Sequence, residues 1–132
     1  MADGTVLVVE DDDALRRLLC EALYARGVEV SGVPGGTEAL ELLPDVRPEV
    51  IVTDLLMPGM MGTRLIEVLR ADGEHADTPI VVFSGFSLEV MGGAPGDGIH
   101  YVPKSVDGVA RVVELVAELV GVDRRTSSNV ER

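Results

Sequence analysis

Acidic, hydroxyl and ammonium side chains follow four apolar runs of this sequence. The first run is followed by Glu10 and Asp11, and a later one by Asp54. Ser84 and Lys104 stand in corresponding places farther along the chain. Carboxylates can bind a divalent cation or act as nucleophiles, while an ammonium group neutralises charge that develops on phosphoryl oxygens. These residue types are the ones that phosphoryl transfer to a carboxylate requires.

Three of these groups are carboxylates, which repel one another unless a cation lies among them. Two carboxylates about 4 Å apart repel by roughly 1–4 kcal/mol, depending on the local dielectric. A few carboxylate oxygens completed by water suit Mg²⁺ better than a full Ca²⁺ cage. We therefore expect a Mg²⁺ site at Glu10, Asp11 and Asp54, with Asp54 as the nucleophile.

Each of these residues taken alone also has a structural explanation. Asp12 and Asp13 are expected to cap the first helix, and the helix dipole favours acids such as Glu10 in its first turn. A serine such as Ser84 can begin a turn, and a lysine such as Lys104 is often a surface charge. These explanations account poorly for the placement of all the groups at one edge of a sheet.

Alternating strand and helix patterns must position these groups. Short, mostly apolar runs predict five strands, of which the second is less uniformly apolar, and apolar stripes at helical spacing predict four helices. The expected strands are Val6–Val9, Val28–Val33, Val50–Val52, Ile80–Phe83 and Ile99–Val102. The expected helices run from the Asp12–Asp13 cap to about Arg26, from a Thr37 cap to a stop at Pro44, from Gly62 to about Ala71, and from Val106 to Val120.

Between Gly85 and Gly98 the expectation of a helix is weak, because five of those fourteen residues are glycine. At most Ser87–Met91 is expected to form one or two turns. Residues 1–120 are expected to form one domain, and residues 121–132 a polar, flexible tail.

Strands that alternate with helices predict an α/β domain with a parallel sheet. We expect the flavodoxin-like, doubly wound arrangement, with strand order 2-1-3-4-5 and helices on both faces. In that order the first and third strands are neighbours, and ligands bind beyond their carboxyl ends. Glu10, Asp11 and Asp54 are therefore expected to converge.

Composition limits the partners and the location. Acids outnumber bases 23 to 11 and give a net charge of −12, so direct binding of nucleic acid by this domain is not expected. One cysteine cannot form an internal disulfide, and neither a signal peptide nor an apolar run of membrane-spanning length is visible. We expect a cytoplasmic protein without a membrane partner.

Four segments resemble the receiver domains of two-component response regulators. Val6–Leu19 resembles the opening of that family, and Pro48–Gly62 resembles the segment around its phosphoacceptor. Val81–Gly85 and Tyr101–Lys104 resemble two further landmarks, in the family's order. The resemblance covers nearly the whole chain, and it implies a phosphorelay regulator rather than a turnover enzyme.

The resemblance also implies a role for each acidic residue. Asp54 would accept a phosphoryl group from the phosphohistidine of a sensor histidine kinase or a histidine phosphotransfer protein. Asp11, Asp54 and the backbone carbonyl of Leu56 would bind Mg²⁺ directly, and Glu10 would hold it through water.

The remaining implied roles concern switching. Ser84 and Lys104 would contact phosphoryl oxygens, and Tyr101 would be the switch aromatic, with a half-buried strand tyrosine as the alternative. The change would pass through the surface of the last strand and its neighbouring helices to a downstream output protein or an output domain. A homodimer is left open.

Two features depart from the family pattern. Ser105 follows Lys104, where the family usually has a proline with a cis bond before it. A cis bond costs about 2.5–4 kcal/mol before a residue other than proline, against about 0.5–1 kcal/mol before proline. We therefore expect a trans Lys104–Ser105 bond with altered loop geometry, or a strained bond.

Pro103 precedes the lysine. Proline lacks the N–H that a central strand would need, but it is compatible with an edge strand, which the fifth strand is in this order. The second departure is the glycine-rich stretch after the fourth strand.

Three other functions are open to this sequence. The first is a pseudo-receiver, a docking module of the same fold that is not phosphorylated. The second is a phosphatase with an aspartyl-phosphate intermediate at Asp11-x-Asp13, although the small Gly-Thr pair of such enzymes is missing. The third is a flavodoxin-like cofactor binder, which four consecutive acids in the phosphate-binding loop disfavour.

Overall fold

The computed structural model describes residues 5–86 and 98–121, which form a five-stranded parallel sheet with helices on both faces. The strands are β1 (Thr5–Val9), β2 (Glu29–Val33), β3 (Val50–Thr53), β4 (Ile80–Ser84) and β5 (Ile99–Pro103). The helices are α1 (Asp13–Ala25), α2 (Gly36–Val46), α3 (Gly62–Ala71) and α4 (Gly108–Leu119).

The sheet has the strand order β2-β1-β3-β4-β5, which confirms the predicted doubly wound topology. Every pair of neighbouring strands is parallel. Val9 of β1 is aligned with Thr53 of β3. Glu10 and Asp54, which directly follow these two residues, therefore leave the sheet side by side at its carboxyl edge.

Two apolar clusters lie on the two faces of the sheet. Val6 and Val8 of β1 belong to the cluster that α1 and α4 cover. Leu7 and Val9 belong to the cluster that α2 and α3 cover. Because both faces are buried, the central strands must be apolar without interruption, as their sequences are.

The first helix begins where its capping residues indicate. Asp12 is the N-cap, and its Oδ1 accepts a hydrogen bond from the backbone N–H of Leu15 at 3.0 Å. Asp13 lies in the first turn and forms an ion pair with Arg16. Gly27, with φ of +85°, follows the helix in the left-handed conformation that suits glycine.

The predicted ends of the second helix are wrong. Thr37 is not the cap, because the helix already begins at Gly36 after an extended Gly35. Pro44 does not stop the helix, which continues to Val46. The fixed φ angle of proline is compatible with a helix, although the ring removes one backbone hydrogen bond and crowds the preceding turn. The helix ends after Val46, at the C-cap Arg47, whose φ of 51° is left-handed.

The last helix begins two residues later than predicted, at Gly108 rather than Val106. A turn precedes it, in which the N–H of Gly108 donates to the carbonyl of Ser105 at 2.9 Å. The Lys104–Ser105 peptide bond is trans, since the described residues contain no cis bond.

The expected turns at Ser87–Met91 and residues 122–132 of the expected tail lie outside the described residues. Among the helices that the structure describes, none is both long and apolar enough to cross a membrane.

Candidate functional site

Asp54 lies at the carboxyl end of β3, with its side chain almost fully buried. Its Oδ1 accepts hydrogen bonds from the backbone N–H groups of Leu55 at 2.6 Å and Leu56 at 3.4 Å. Its own N–H donates to the carbonyl of Val9 at 3.3 Å, which ties the residue to β1. Backbone contacts therefore fix the carboxylate and leave Oδ2 directed toward other side chains.

Glu10 is a buried acid, only 2% exposed, at the end of β1. Its Oε2 accepts a hydrogen bond from the N–H of Asp12 at 3.1 Å. Burial raises the pKa of Glu10 above its ordinary value, although the Asp12 N–H and the charge of Lys104 oppose that rise. The neighbouring Asp54 carboxylate raises the pKa of Glu10 further. The site therefore disfavours a second negative charge unless a cation accompanies it.

The three expected metal-binding acids come together at this edge of the sheet. One carboxylate oxygen from each of Glu10, Asp11 and Asp54 lies within 4.8 Å of the others. Asp11 is exposed, whereas the other two are buried, so the cluster opens to solvent on the Asp11 side. An all-oxygen donor set of three carboxylates, open to water, fits a hard divalent cation such as Mg²⁺.

Lys104 brings the opposite charge to the same site from the end of β5. Its Nζ lies 2.7 Å from Asp54 Oδ2 and 3.2 Å from Glu10 Oε1. Burial disfavours the ammonium, but the hydrogen bond to Asp54 and the charge of Glu10 outweigh burial, so the pKa of Lys104 is raised. Lys104 is therefore fully protonated at neutral pH and bridges two carboxylates.

Ser84 and Tyr101 are linked to each other and to Lys104 through one backbone carbonyl. The carbonyl of Ser84 accepts hydrogen bonds from the Lys104 N–H at 2.9 Å and from the Tyr101 hydroxyl at 3.4 Å. The Ser84 side chain is buried, and its Oγ accepts from the N–H of Phe86 at 3.2 Å. Tyr101 is half-buried against the apolar cluster under α2 and α3. A displacement of Ser84 would therefore disturb both residues.

The sequence correctly predicted that α3 begins at Gly62, but it did not reveal the contact of Gly62 with the Asp54 loop. Its N–H donates to the carbonyl of Leu55 at 2.7 Å. A Cβ at this position would overlap the carbonyl oxygen of Asp54 and lie 2.8 Å from Leu55 Cα. The helix therefore begins directly against the loop that carries Asp54, with no room for a side chain at residue 62 in this arrangement. A poor helix former at the start of an apolar stripe was the available signal.

Two further residues escaped the sequence analysis. Arg16 donates through Nη1 to the carbonyl of Glu10 at 2.8 Å and so fixes the loop after β1. Phe83 of β4 places its ring beneath the Lys104 ammonium, with 5.8 Å between Nζ and the ring centroid. The first contact joins a strand end to the next helix, and the second joins two strands, so both depend on the folded geometry.

Comparisons with known proteins agree with this geometry. Residues 6–109 match the family described as "Response regulator receiver domain". The chain is 34% identical over 122 residues to the transcriptional regulatory protein CseB of Streptomyces coelicolor, covering 90% of this chain and 51% of that protein. The chain thus spans about half the length of that curated relative.

Solved structures show the same fold. The receiver domain of the Francisella response regulator 1452 is 26% identical and superimposes with a TM-score of 0.73, covering 93% of this chain and 98% of that one. The receiver domain of the sensor histidine kinase PA1611 from Pseudomonas aeruginosa PAO1 is 20% identical, with a TM-score of 0.75 and coverage of 89% and 98%. That second structure has a magnesium ion coordinated in its active site cleft.

Proposed function

The chain belongs to the response regulator receiver domain family, and we propose that it is a phosphoacceptor signalling switch in which Asp54 is the acceptor. The observation that carries this proposal is the convergence of the Asp54 carboxylate with the Lys104 ammonium, 2.7 Å apart, beside two further carboxylates. A buried acid with one cation and a cation-binding cluster beside it is suited to accept a phosphoryl group. We assign residues 1–120 to this domain and the remainder to a tail.

The proposed reaction transfers a phosphoryl group from a phosphohistidine to Asp54. A carboxylate oxygen of Asp54 attacks phosphorus, and the bond between phosphorus and the imidazole nitrogen breaks. The electron pair of that bond returns to the imidazole, which then takes up a proton. The products are an aspartyl phosphate and a free histidine on the donor, which is a sensor histidine kinase or a histidine phosphotransfer protein.

The acidic cluster is the proposed Mg²⁺ site. Asp11, Asp54 and the backbone carbonyl of Leu56 would bind the ion, and Glu10 would hold it through water. When bound, Mg²⁺ supplies positive charge next to the phosphoryl oxygens. Support comes from the three converging oxygens and from the magnesium ion in the cleft of the PA1611 receiver domain.

Lys104 and Ser84 are the proposed contacts of the phosphoryl group. Lys104 already faces Asp54 Oδ2, so its ammonium needs only to shift from the carboxylate to a phosphoryl oxygen. The phosphoryl group adds about −1.5 to −2 of charge and three acceptor oxygens. That added charge favours the conformation in which the Ser84 hydroxyl also donates to it.

Tyr101 is the proposed link between the site and the output surface. Its hydroxyl donates to the backbone carbonyl of Ser84, so movement of Ser84 weakens that contact and frees the ring to turn. β5 and α4 would then present a different surface to a downstream protein or to an output domain. CseB, of which this chain spans 51%, is a transcriptional regulatory protein.

The test of this function is labelling with a small phosphodonor such as acetyl phosphate, followed by intact mass measurement. We expect one phosphoryl group per chain in the presence of Mg²⁺ and almost none when the metal is chelated. A chain that is never labelled would be a pseudo-receiver docking module. Sustained release of phosphate from a generic phosphomonoester would identify a phosphatase instead.

A further inference from the structure

We propose that Phe83 is a positioning residue that aims the Lys104 side chain at Asp54. This inference rests on the proposed function of Asp54 and Lys104. The ammonium of Lys104 lies 2.7 Å from Asp54 Oδ2 and 3.2 Å from Glu10 Oε1. These ion pairs hold the end of the side chain, and the contacts described below direct its path.

The backbone of Lys104 is held by β4. Its N–H donates to the carbonyl of Ser84 at 2.9 Å, which continues the pairing of β4 with β5 by one residue. That bond fixes the start of the side chain but does not set the torsion angles of its four methylene groups. After Lys104 the chain turns away into the 105–108 turn, which Ser105 and Asp107 close through a side-chain hydrogen bond of 2.9 Å.

The ring of Phe83 supplies the missing constraint. Phe83 immediately precedes Ser84 on β4 and is only 3% exposed. Lys104 Nζ lies over its ring, 5.8 Å from the centroid, within the range of a cation–π contact. The negative face of the ring attracts the ammonium and so favours the lysine conformation that lies over the ring.

The ring itself is held in place by Gly108. A Cβ on Gly108 would lie 2.7 Å from Phe83 Cε1 and 2.9 Å from the carbonyl oxygen of Pro103. The first turn of α4 therefore presses against the ring without an intervening side chain. Phe83 is also packed in the apolar cluster with Val112 and Val116 of the same helix. The ring thus connects the start of α4 to the direction of the lysine.

The test is a double-mutant cycle of Phe83→Leu with Lys104→Met, measured as the rate of labelling by acetyl phosphate with Mg²⁺. Leucine keeps an apolar core residue but removes the ring face. We expect Phe83→Leu to slow labelling about three- to tenfold when Lys104 is present and to have no further effect when it is methionine. Equal slowing in both backgrounds, or none in either, would overturn the proposal.

Leu43→Ala is the control for a general loss of stability. Leu43 of α2 is buried in the apolar cluster on the other face of the sheet, so the control should lower the urea midpoint without slowing labelling. If Leu43→Ala slows labelling as much as Phe83→Leu does at a similar loss of stability, the effect of Phe83 is general and the positioning role is wrong.

A second measurement does not depend on phosphorylation. Lys104 is the single lysine of the chain, so its side-chain signals in an NMR spectrum of lysine-labelled protein need no assignment. We expect restricted Cε motion in the wild type and markedly faster motion in Phe83→Leu. Unchanged motion would contradict the positioning role even if Asp54 is labelled. A wild type with restricted Lys104 but no labelling would contradict the proposed function alone.

Discussion

Lys104 Nζ lies 2.7 Å from Asp54 Oδ2, so the proposed acceptor is ion-paired with the residue that is proposed to contact its phosphoryl group. The same ammonium lies 3.2 Å from Glu10 Oε1. One cation therefore balances two buried carboxylates of the site. Removing that cation, or adding another, should change both the stability of the fold and the chemistry of Asp54.

Replacing Lys104 with methionine should destabilise the metal-free protein. Breaking a buried ion pair from one side costs about 3–5 kcal/mol, and the 27% exposure of the Lys104 side chain reduces this to roughly 1–3 kcal/mol. Urea denaturation measures the loss. Arg26→Met is the control, because its pair with Glu114 is exposed on both sides and should change stability by less than about 1 kcal/mol. Equal losses would contradict the account.

Asp11→Asn should abolish stabilisation by Mg²⁺ at little cost to the metal-free fold, because Asp11 is exposed. A ligand at 100 times its dissociation constant stabilises the native state by about 2.7 kcal/mol. Thermal unfolding with and without Mg²⁺ therefore reports binding. Asp12→Asn, which retains the helix cap, should respond to Mg²⁺ like the wild type. A normal response of Asp11→Asn would remove Asp11 from the metal site.

Gly62→Ala should be strongly destabilising, because the added methyl group would overlap the backbone at Asp54 and Leu55. Overpacking costs typically about 1–3 kcal/mol, and the rigid backbone here favours the upper end. Gly73→Ala is the control, since a Cβ there meets nothing within 4 Å and its φ is not positive. Both variants are compared by urea denaturation, and similar midpoints would show that α3 can move away from the Asp54 loop.

Glu10→Gln should stabilise the metal-free protein at neutral pH. The folded-state pKa of Glu10 is raised above its ordinary value of 4.5, so the native state binds a proton more readily than the unfolded chain. By linkage, this group makes the wild type less stable as pH rises from about 4.5 through the folded-state pKa. The variant lacks that loss and should be more stable than the wild type at pH 7, with the gain disappearing below pH 4.5. A gain independent of pH would contradict the proposed cause.

The strand order and the convergence of the acids could be predicted because they follow from local patterns. Apolar runs buried on both faces are visible in the sequence, and parallel strands place the residues after Val9 and Thr53 at one edge. The ends of α2 could not be predicted from local preferences. Thr37 indicated a helix start and Pro44 a stop, but the helix begins at the buried Gly36 and ends before the left-handed Arg47. Local preferences are weak compared with tertiary contacts.

The contacts that organise the site were harder to foresee. The sequence indicates that Lys104 belongs to the site. It does not show that the Lys104 ammonium contacts both Glu10 and Asp54, because that depends on side-chain directions in three dimensions. The same is true of the Phe83 ring beneath the ammonium. The sequence does not show what directs the lysine toward Asp54. The packing of Gly108 against Phe83 suggests that the phenyl ring does so.

The most direct measurement for the central proposal is mapping of the phosphoryl group after reaction with acetyl phosphate and Mg²⁺. Mass spectrometry of the wild type should place one phosphoryl group on Asp54, and Asp54→Asn should remain unlabelled while unfolding cooperatively in urea. Asp77→Asn, a loop acid far along the chain from Asp54, should be labelled like the wild type. Labelling of Asp54→Asn at the wild-type rate, or a phosphoryl group on another residue, would contradict the assignment of Asp54 as the acceptor.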